Sequence, residues 1–398
     1  MRRISFVLVV CAAAILLLSF GIRQSFGLFL EPITTSLGVS RTSFALAIAI
    51  QNLLWGLSQP LLGVLADRFG IVRALLLGGV LYIAGLLIMA LSGSEAGLYL
   101  GAGLFIGLGV SGTSFSLVLA AVARATAPER RSLALGLVSA GGTFGQFAMP
   151  IFSQALIDGT GWLVGLLVLA GCAGLMVPCA FGLARADAGR EQTPGTQSLG
   201  DALREAAGHN GYWLLNAGFF VCGFHVAFIA THLPAYLTSL EFGSMLGAWA
   251  LATIGLFNIV GALVAGFLGG RHRKKNVLSG LYFARSLVFT LFLLVPPSQF
   301  SVLLASAAIG LLWLGTVPLT GGLVGEIFGP RYMATLFSIV MMSHQIGAFF
   351  GAWIGGLVFD LTGSYDIAWQ IAIVLGVAAA ALHLPIRDRP LRLEIEST

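Results

Sequence analysis

Two arginines stand inside otherwise apolar stretches. Arg23 ends the run Leu16-Leu17-Leu18-Ser19-Phe20-Gly21-Ile22, and Arg285 sits between Tyr282-Phe283-Ala284 and Leu287-Val288-Phe289. A guanidinium is a planar fork of N–H donors that matches a carboxylate, and in apolar surroundings its charge needs a partner or a task. Arg23, with Gln24 beside it, reads as an anion-binding group, against the alternative of snorkelling or bonding to carbonyls. Glu31 is eight residues on, about 12 Å along a helix, too far to neutralise it. Arg285 reads either as a ligand contact or as part of a buried structural network. The ordinary ionisation range of a histidine suits a proton carrier, which makes His225 a candidate, and its plain alternative is a neutral hydrogen-bonding imidazole. Thr113 and Trp313 are candidate substrate contacts, with ordinary packing as their alternative.

The carboxylates inform by position. Asp67 and Glu326 fall at one end of the apolar stretches, whereas Glu31, Glu95, Asp158, Glu241, Asp360 and Asp366 fall at the other. None falls in the middle, so a carboxylate proton carrier is not expected. Gly107-Leu108-Gly109-Val110-Ser111-Gly112 spells a dinucleotide fingerprint, but no strand precedes it, and we read it as close helix packing. The cysteines Cys11, Cys172, Cys179 and Cys222 have no metal-ligand spacing and read as packing residues. No paired acids, activated nucleophile, metal cluster or cofactor motif supports an enzyme.

The elements that position these groups follow from composition. Of 398 residues, 58% are apolar and 9% charged, too little polar surface for a water-soluble fold. The net charge of +5 comes from scattered single residues, which argues against nucleic acid. Met1-Arg2-Arg3 and the run after it imitate a signal peptide, but the apolar stretch reaches Leu30 and reads as a retained helix. A bilayer core about 30 Å thick takes about 20 helical residues. We expect helices over 5–31, 43–66, 72–92, 97–122, 132–157 and 162–184, then 211–238, 243–269, 277–295, 300–327, 332–359 and 366–385. This is an all-α membrane protein of twelve transmembrane helices. Its units are a first bundle at 1–184, a polar linker at 185–209 and a second bundle at 210–398. All but Arg23, Arg41 and Arg285 of the 21 cationic residues fall on the side that carries both termini, which predicts cytoplasmic termini.

The halves repeat. Gly21-Ile22-Arg23, Phe26 and Pro32 align with Gly223-Phe224-His225, Phe228 and Pro234; Gly112-Thr113 aligns with Gly315-Thr316; Gly145 and Asp158 align with Gly347 and Asp360. Two six-helix bundles related by a pseudo-two-fold axis are the expected result.

Between the second and third helices stands Gly63-Val64-Leu65-Ala66-Asp67-Arg68-Phe69-Gly70-Ile71-Val72-Arg73. Gly63 suits close helix approach, Asp67 suits a helix end or an arginine, and Arg68 and Arg73 suit a cytoplasmic loop. The second half carries a worn copy at Gly266 to Arg271, with Gly270 for the aspartate. This segment closely resembles the signature of the major facilitator superfamily. Arg23-Gln24-Ser25 before Leu28 to Pro32 is similar to bacterial relatives of the monocarboxylate porters. The resemblance implies a bacterial inner-membrane transporter, monomeric, without cofactor or metal, working by alternating access. It places Arg23 on a cavity-lining helix and Arg285 on an outer one. The substrate it implies is a small organic anion of monocarboxylate type, taken alone, by exchange or with a proton carried by His225. Efflux of amphipathic compounds is the alternative reading.

Overall fold

A chain crossing lipid must pair its backbone polar groups within each segment, so apolar runs of this length become helices. The computed structural model describes residues 6–184, 199–329 and 333–390, and twelve of its helices are long and apolar enough to cross a membrane. We number these spans α1 to α12. In the first half, α1 is Phe6–Gln24 continued by Phe26–Leu37, α2 is Arg41–Phe69 and α3 is Ile71–Leu91. Next, α4 is Glu95–Ala125, α5 Pro128–Thr160 and α6 Trp162–Phe181. In the second half, α7 is Asn210–Ser239, α8 Ser244–Arg271, α9 Lys274–Leu294, α10 Gln299–Phe328, α11 Met333–Thr362 and α12 Asp366–His383. Most of the linker lies outside the described residues; its last part is the short helix Leu199–Gly208.

The expected spans are all present, and the differences are local. The first helix was expected to end near 31. Instead the chain breaks at Ser25 and restarts at Phe26, so Pro32 falls inside a second helical piece that runs to Leu37. Ser25 N–H bonds to Ile22 O at 3.0 Å and its hydroxyl to Gly21 O at 3.0 Å, which satisfies the groups freed by the break. α4 is also interrupted, passing through a π-helical turn at Tyr99–Phe105 and breaking between Gly112 and Phe115. α10 breaks at the matching place, between Leu311 and Thr316. Hydropathy averaged over a span does not register such breaks, because the few polar residues at them, Arg23-Gln24-Ser25 and Thr113-Ser114, are outweighed by the apolar residues around them.

Within each bundle the helices meet at glycines. Gly145 of α5 lies on the backbone of Leu17 in α1, and its repeat partner Gly347 of α11 lies on Phe220 in α7, with no room for a Cβ at either. The Gly107 to Gly112 run packs as helix, Gly112 on Gly78 and Gly109 on Tyr82, both in α3.

The halves meet along α2 with α11, α5 with α8 and the second piece of α1 with α7. Gly56 of α2 receives the Gln345 side chain of α11, and Gly255 of α8 lies on the Gln146 backbone of α5. Toward the end opposite the termini, Asp360 accepts from the Thr42 N–H and hydroxyl, Ser244 donates to Asp158, and Arg41 donates to Tyr365. That end is closed in this conformation.

Candidate functional site

Arg23 is the penultimate residue before the α1 break and lies at the seam between the halves. It lines a crevice with Phe26 and Gly27 of α1, Asn52 of α2, and Ala230 and Thr231 of α7. Its Nη2 donates to Asn52 Oδ1, and its guanidinium lies 4.8 Å from the Trp55 ring centroid, a cation–π contact. Asn52 is held in turn by its own Nδ2 donating to Ile48 O at 2.8 Å. Gln51, also lining the crevice, anchors its amide on Ala102 O at 2.9 Å. Arg23 Nε has no partner, and no carboxylate reaches the half-buried guanidinium among the described residues. The void here is about 10 Å³, room for one water and too small for an organic acid. A cavity of about 410 Å³ lies nearer the end opposite the termini, bordered by Glu31, Thr35, Asp158, Thr238 and Ser244. Gly27 lines both spaces, and its contact with Ala230 and Thr231 separates them.

The other expected contacts do not gather around Arg23. His225 was expected to face the same cavity from the second half. It is instead fully buried inside that half, with Nε2 2.8 Å from Ala372 O of α12 and its ring edge-on to Phe289 at 5.1 Å. The break at Ser25 has no counterpart in α7, and the two aligned positions have different surroundings. Gln24 is buried with its amide nitrogen unpartnered and is not among the residues lining the crevice. Thr113 is buried at the α4 break, its hydroxyl 2.7 Å from Ser19 Oγ and 3.1 Å from Gly109 O. The same link recurs in the second half as Cys222 Sγ to Thr316 Oγ1 at 3.2 Å.

Arg285 and Trp313 belong together, as structure. Arg285 is fully buried, and its Nη2 donates to Trp313 O at 2.7 Å and to Leu312 O. These carbonyls stand where α10 breaks, at the negative end of its first piece, so the charge meets the helix dipole and two freed acceptors at once. Nη1 reaches Cys222 Sγ at 3.9 Å, and the guanidinium carbon lies 5.5 Å from the Tyr282 ring. The Trp313 side chain is buried with this network rather than lining the crevice.

In the loop motif, Gly63 departs from expectation: a Cβ there meets no atom within 4 Å, so close approach does not explain it in this conformation. Asp67 pairs with Arg124 of α4 at 3.4 Å. Gly70 ends α2 at φ +100, where a side chain would be strained, and its N–H bonds to Ala66 O. Arg68 and Arg73 are exposed at the same end. In the second half, where Gly270 stands for the aspartate, an ion pair at this end joins Lys274 of α9 to Glu326 of α10 instead.

Of the residues around Arg23, Asn52 and Trp55 read in the sequence as possible cavity contacts with ordinary packing as the alternative, and Thr231 had no such reading. A signal existed for α2: Asn52, Trp55 and Gly56, spaced i, i+3, i+4, share one helix face. Nothing local marks Thr231, which reaches the crevice only because α7 crosses α1 at Gly27.

The broken, glycine-packed helices in two repeated sets of six now have a comparison. The model of the Major Facilitator Superfamily matches residues 11–313 and 245–397. The chain belongs to that superfamily. Among its superfamily relatives, the YcxA MFS-type transporter of Bacillus subtilis is 24% identical over 389 residues, covering 92% of this chain and 91% of the relative. Monocarboxylate transporter 13 of Bos taurus is 27% identical over 382 residues, covering 92% and 86%. The oxalate:formate antiporter of Oxalobacter formigenes is 24% identical over 404 residues, covering 96% and 92%. Among solved structures, the nucleoside transporter NupG superposes with a TM-score of 0.79 at 15% identity, covering 95% of this chain and 99% of that one. An inward-facing bacterial homologue of the lysosomal transporter Spinster gives 0.68 at 16%, covering 94% and 95%. This major facilitator protein is a multi-pass membrane transporter and not an enzyme.

Proposed function

We propose that the protein carries a small organic anion of the monocarboxylate class by alternating access, with Arg23 as the group that binds the carboxylate. The observation carrying this reading is a guanidinium at the seam between the halves with one nitrogen unpartnered and no carboxylate in reach. Asn52 and Trp55 hold the guanidinium in place through Nη2 and its face, and Nε is left without a protein partner. The names of relatives in two groups, monocarboxylate transporters and an oxalate:formate antiporter, support a carboxylate cargo. The 10 Å³ void fits a conformation without cargo, so binding requires the halves to move.

Gln24, Thr113, Trp313 and Arg285 act in this reading as support for α1, α4 and α10 rather than as ligands. His225 is fully buried within the second half and does not line the crevice at Arg23, so exchange or uniport is the simpler mode. The cation bias toward the end with the termini supports cytoplasmic termini in a bacterial inner membrane. The test is a thermal-shift screen of purified protein against short monocarboxylates, dicarboxylates and neutral or cationic amphiphiles. Stabilisation by monocarboxylates, lost in Arg23→Gln, is the expected result; stabilisation by amphiphiles alone would favour efflux.

A further inference from the structure

We infer that Asp360 and Asp158 are paired latches that hold the end opposite the termini shut, each carboxylate gripping the first turn of a helix in the other half. On one seam, Asp360 Oδ2, near the end of α11, accepts from the Thr42 backbone N–H at 2.7 Å and from its hydroxyl at 2.5 Å. Thr42 is the second residue of α2, so its N–H is one of the donors a helix start leaves unpaired, at the positive end of the dipole. On the other seam, Asp158 near the end of α5 accepts from the hydroxyl of Ser244, the first residue of α8, at 3.2 Å. The aspartates are repeat partners, and the same offset carries Thr42 onto Ser244. Both seams also have a glycine–glutamine crossing nearer the middle of the spans, Gly56 with Gln345 and Gly255 with Gln146. The crossings are placed to act as pivots and the aspartates as the contacts that part when this end opens.

The latches are unequal. The α2 side adds Arg41, whose Nη1 donates to Tyr365 at 3.0 Å and whose guanidinium lies 3.8 Å from the Phe359 ring. The repeat partner of Arg41 is Gly243, which offers nothing similar. Asp158 is held mainly within its own helix, by Gln154 Nε2 at 2.8 Å. Asp158 and Ser244 also border the 410 Å³ cavity, which shares Gly27 with the Arg23 crevice. Releasing the latches therefore joins the cavity to the crevice, and Asp360 holds the stronger one.

This inference rests on the alternating-access reading, but its readouts use no substrate. With Cys11, Cys172, Cys179 and Cys222 replaced by alanine, Thr231→Cys places a thiol in the crevice and Ala96→Cys with Pro297→Cys places spin labels on opposite halves of the latched end. In detergent, Asp360→Ala should raise the maleimide labelling rate at position 231 about tenfold, one charge-assisted hydrogen bond's worth, and lengthen the spin-label distance. Asp158→Ala should do so by a smaller factor. If Asp360→Ala fails to fold, Thr42→Val decides, since it removes a donor and leaves the carboxylate. A simple helix cap would lower the melting temperature without changing labelling or distance, and that result in both seams overturns the inference. Failure of the transport reading would show separately, as the absence of Arg23-dependent anion binding.

Discussion

Arg285 Nη2 lies 2.7 Å from the carbonyl oxygen of Trp313, at the point where α10 loses its helical hydrogen bonds. A buried cation is thus tied to a helix end rather than to an acid. Arg285→Gln should cost on the order of 2–3 kcal/mol, the usual loss for a buried charged donor and its acceptors. Arg285→Lys should recover only part, because one ammonium cannot span both carbonyls and the Cys222 sulfur. Melting curves and expression level check this, and the affinity of the folded fraction for anions should not change.

Gly145→Ala and Gly347→Ala test the packing within the bundles. Each adds a methyl against backbone, of Leu17 and Phe220 respectively, and backbone cannot swing aside. We expect a loss of about 1–3 kcal/mol at each, with smaller effects at Gly63→Ala, where a Cβ meets nothing. Thermal unfolding of the three variants side by side makes the comparison.

The helices and the repeat were legible in the sequence because both depend on runs of apolar residues and on spacing. What was not legible is where helices break. Arg23 and His225 occupy matching positions, yet Arg23 lies at the seam beside a helix break while His225 sits in an unbroken helix, bonded to Ala372 O. Arg285 reads in sequence as either a ligand contact or part of a buried structural network, with no partner identified. Its partners are main-chain carbonyls at 312 and 313, which side-chain patterns do not show. The carboxylates at one end of the spans were visible, but their acceptance of hydrogen bonds across the seam depends on which helices are neighbours.

Asp67 pairs with Arg124 in an exposed setting, where an ion pair contributes little to stability, under about 1 kcal/mol. Asp67→Asn should leave the melting temperature nearly unchanged and slow turnover more than it weakens binding. Uptake rates set against ligand-induced thermal shifts separate the two, and unaltered turnover would remove the motif from conformational control.

Asp388 and Arg273 form a forked pair outside the spans, and the hydrogen bond from Arg273 holds the Asp388 carboxyl below its ordinary range. A carboxylate with a lowered value in the folded state contributes stability above its unfolded value, about 3.9, and loses it as pH falls through the folded one. Asp388→Asn should therefore lower the melting temperature at neutral pH, and its difference from the parent should shrink below about pH 4. A melting series from neutral to acid pH checks the sign.

The most direct test of the account is uptake of labelled short monocarboxylates into proteoliposomes by the parent protein, Arg23→Lys and Arg23→Gln, each shown to melt normally. If the guanidinium grips the carboxylate, the parent takes up the anion, lysine reduces uptake because it keeps charge without the fork, and glutamine lowers it by about tenfold or more, the worth of a charge-assisted hydrogen bond. Undiminished anion uptake by well-folded Arg23→Gln would contradict the assignment of Arg23 as the anion-binding group.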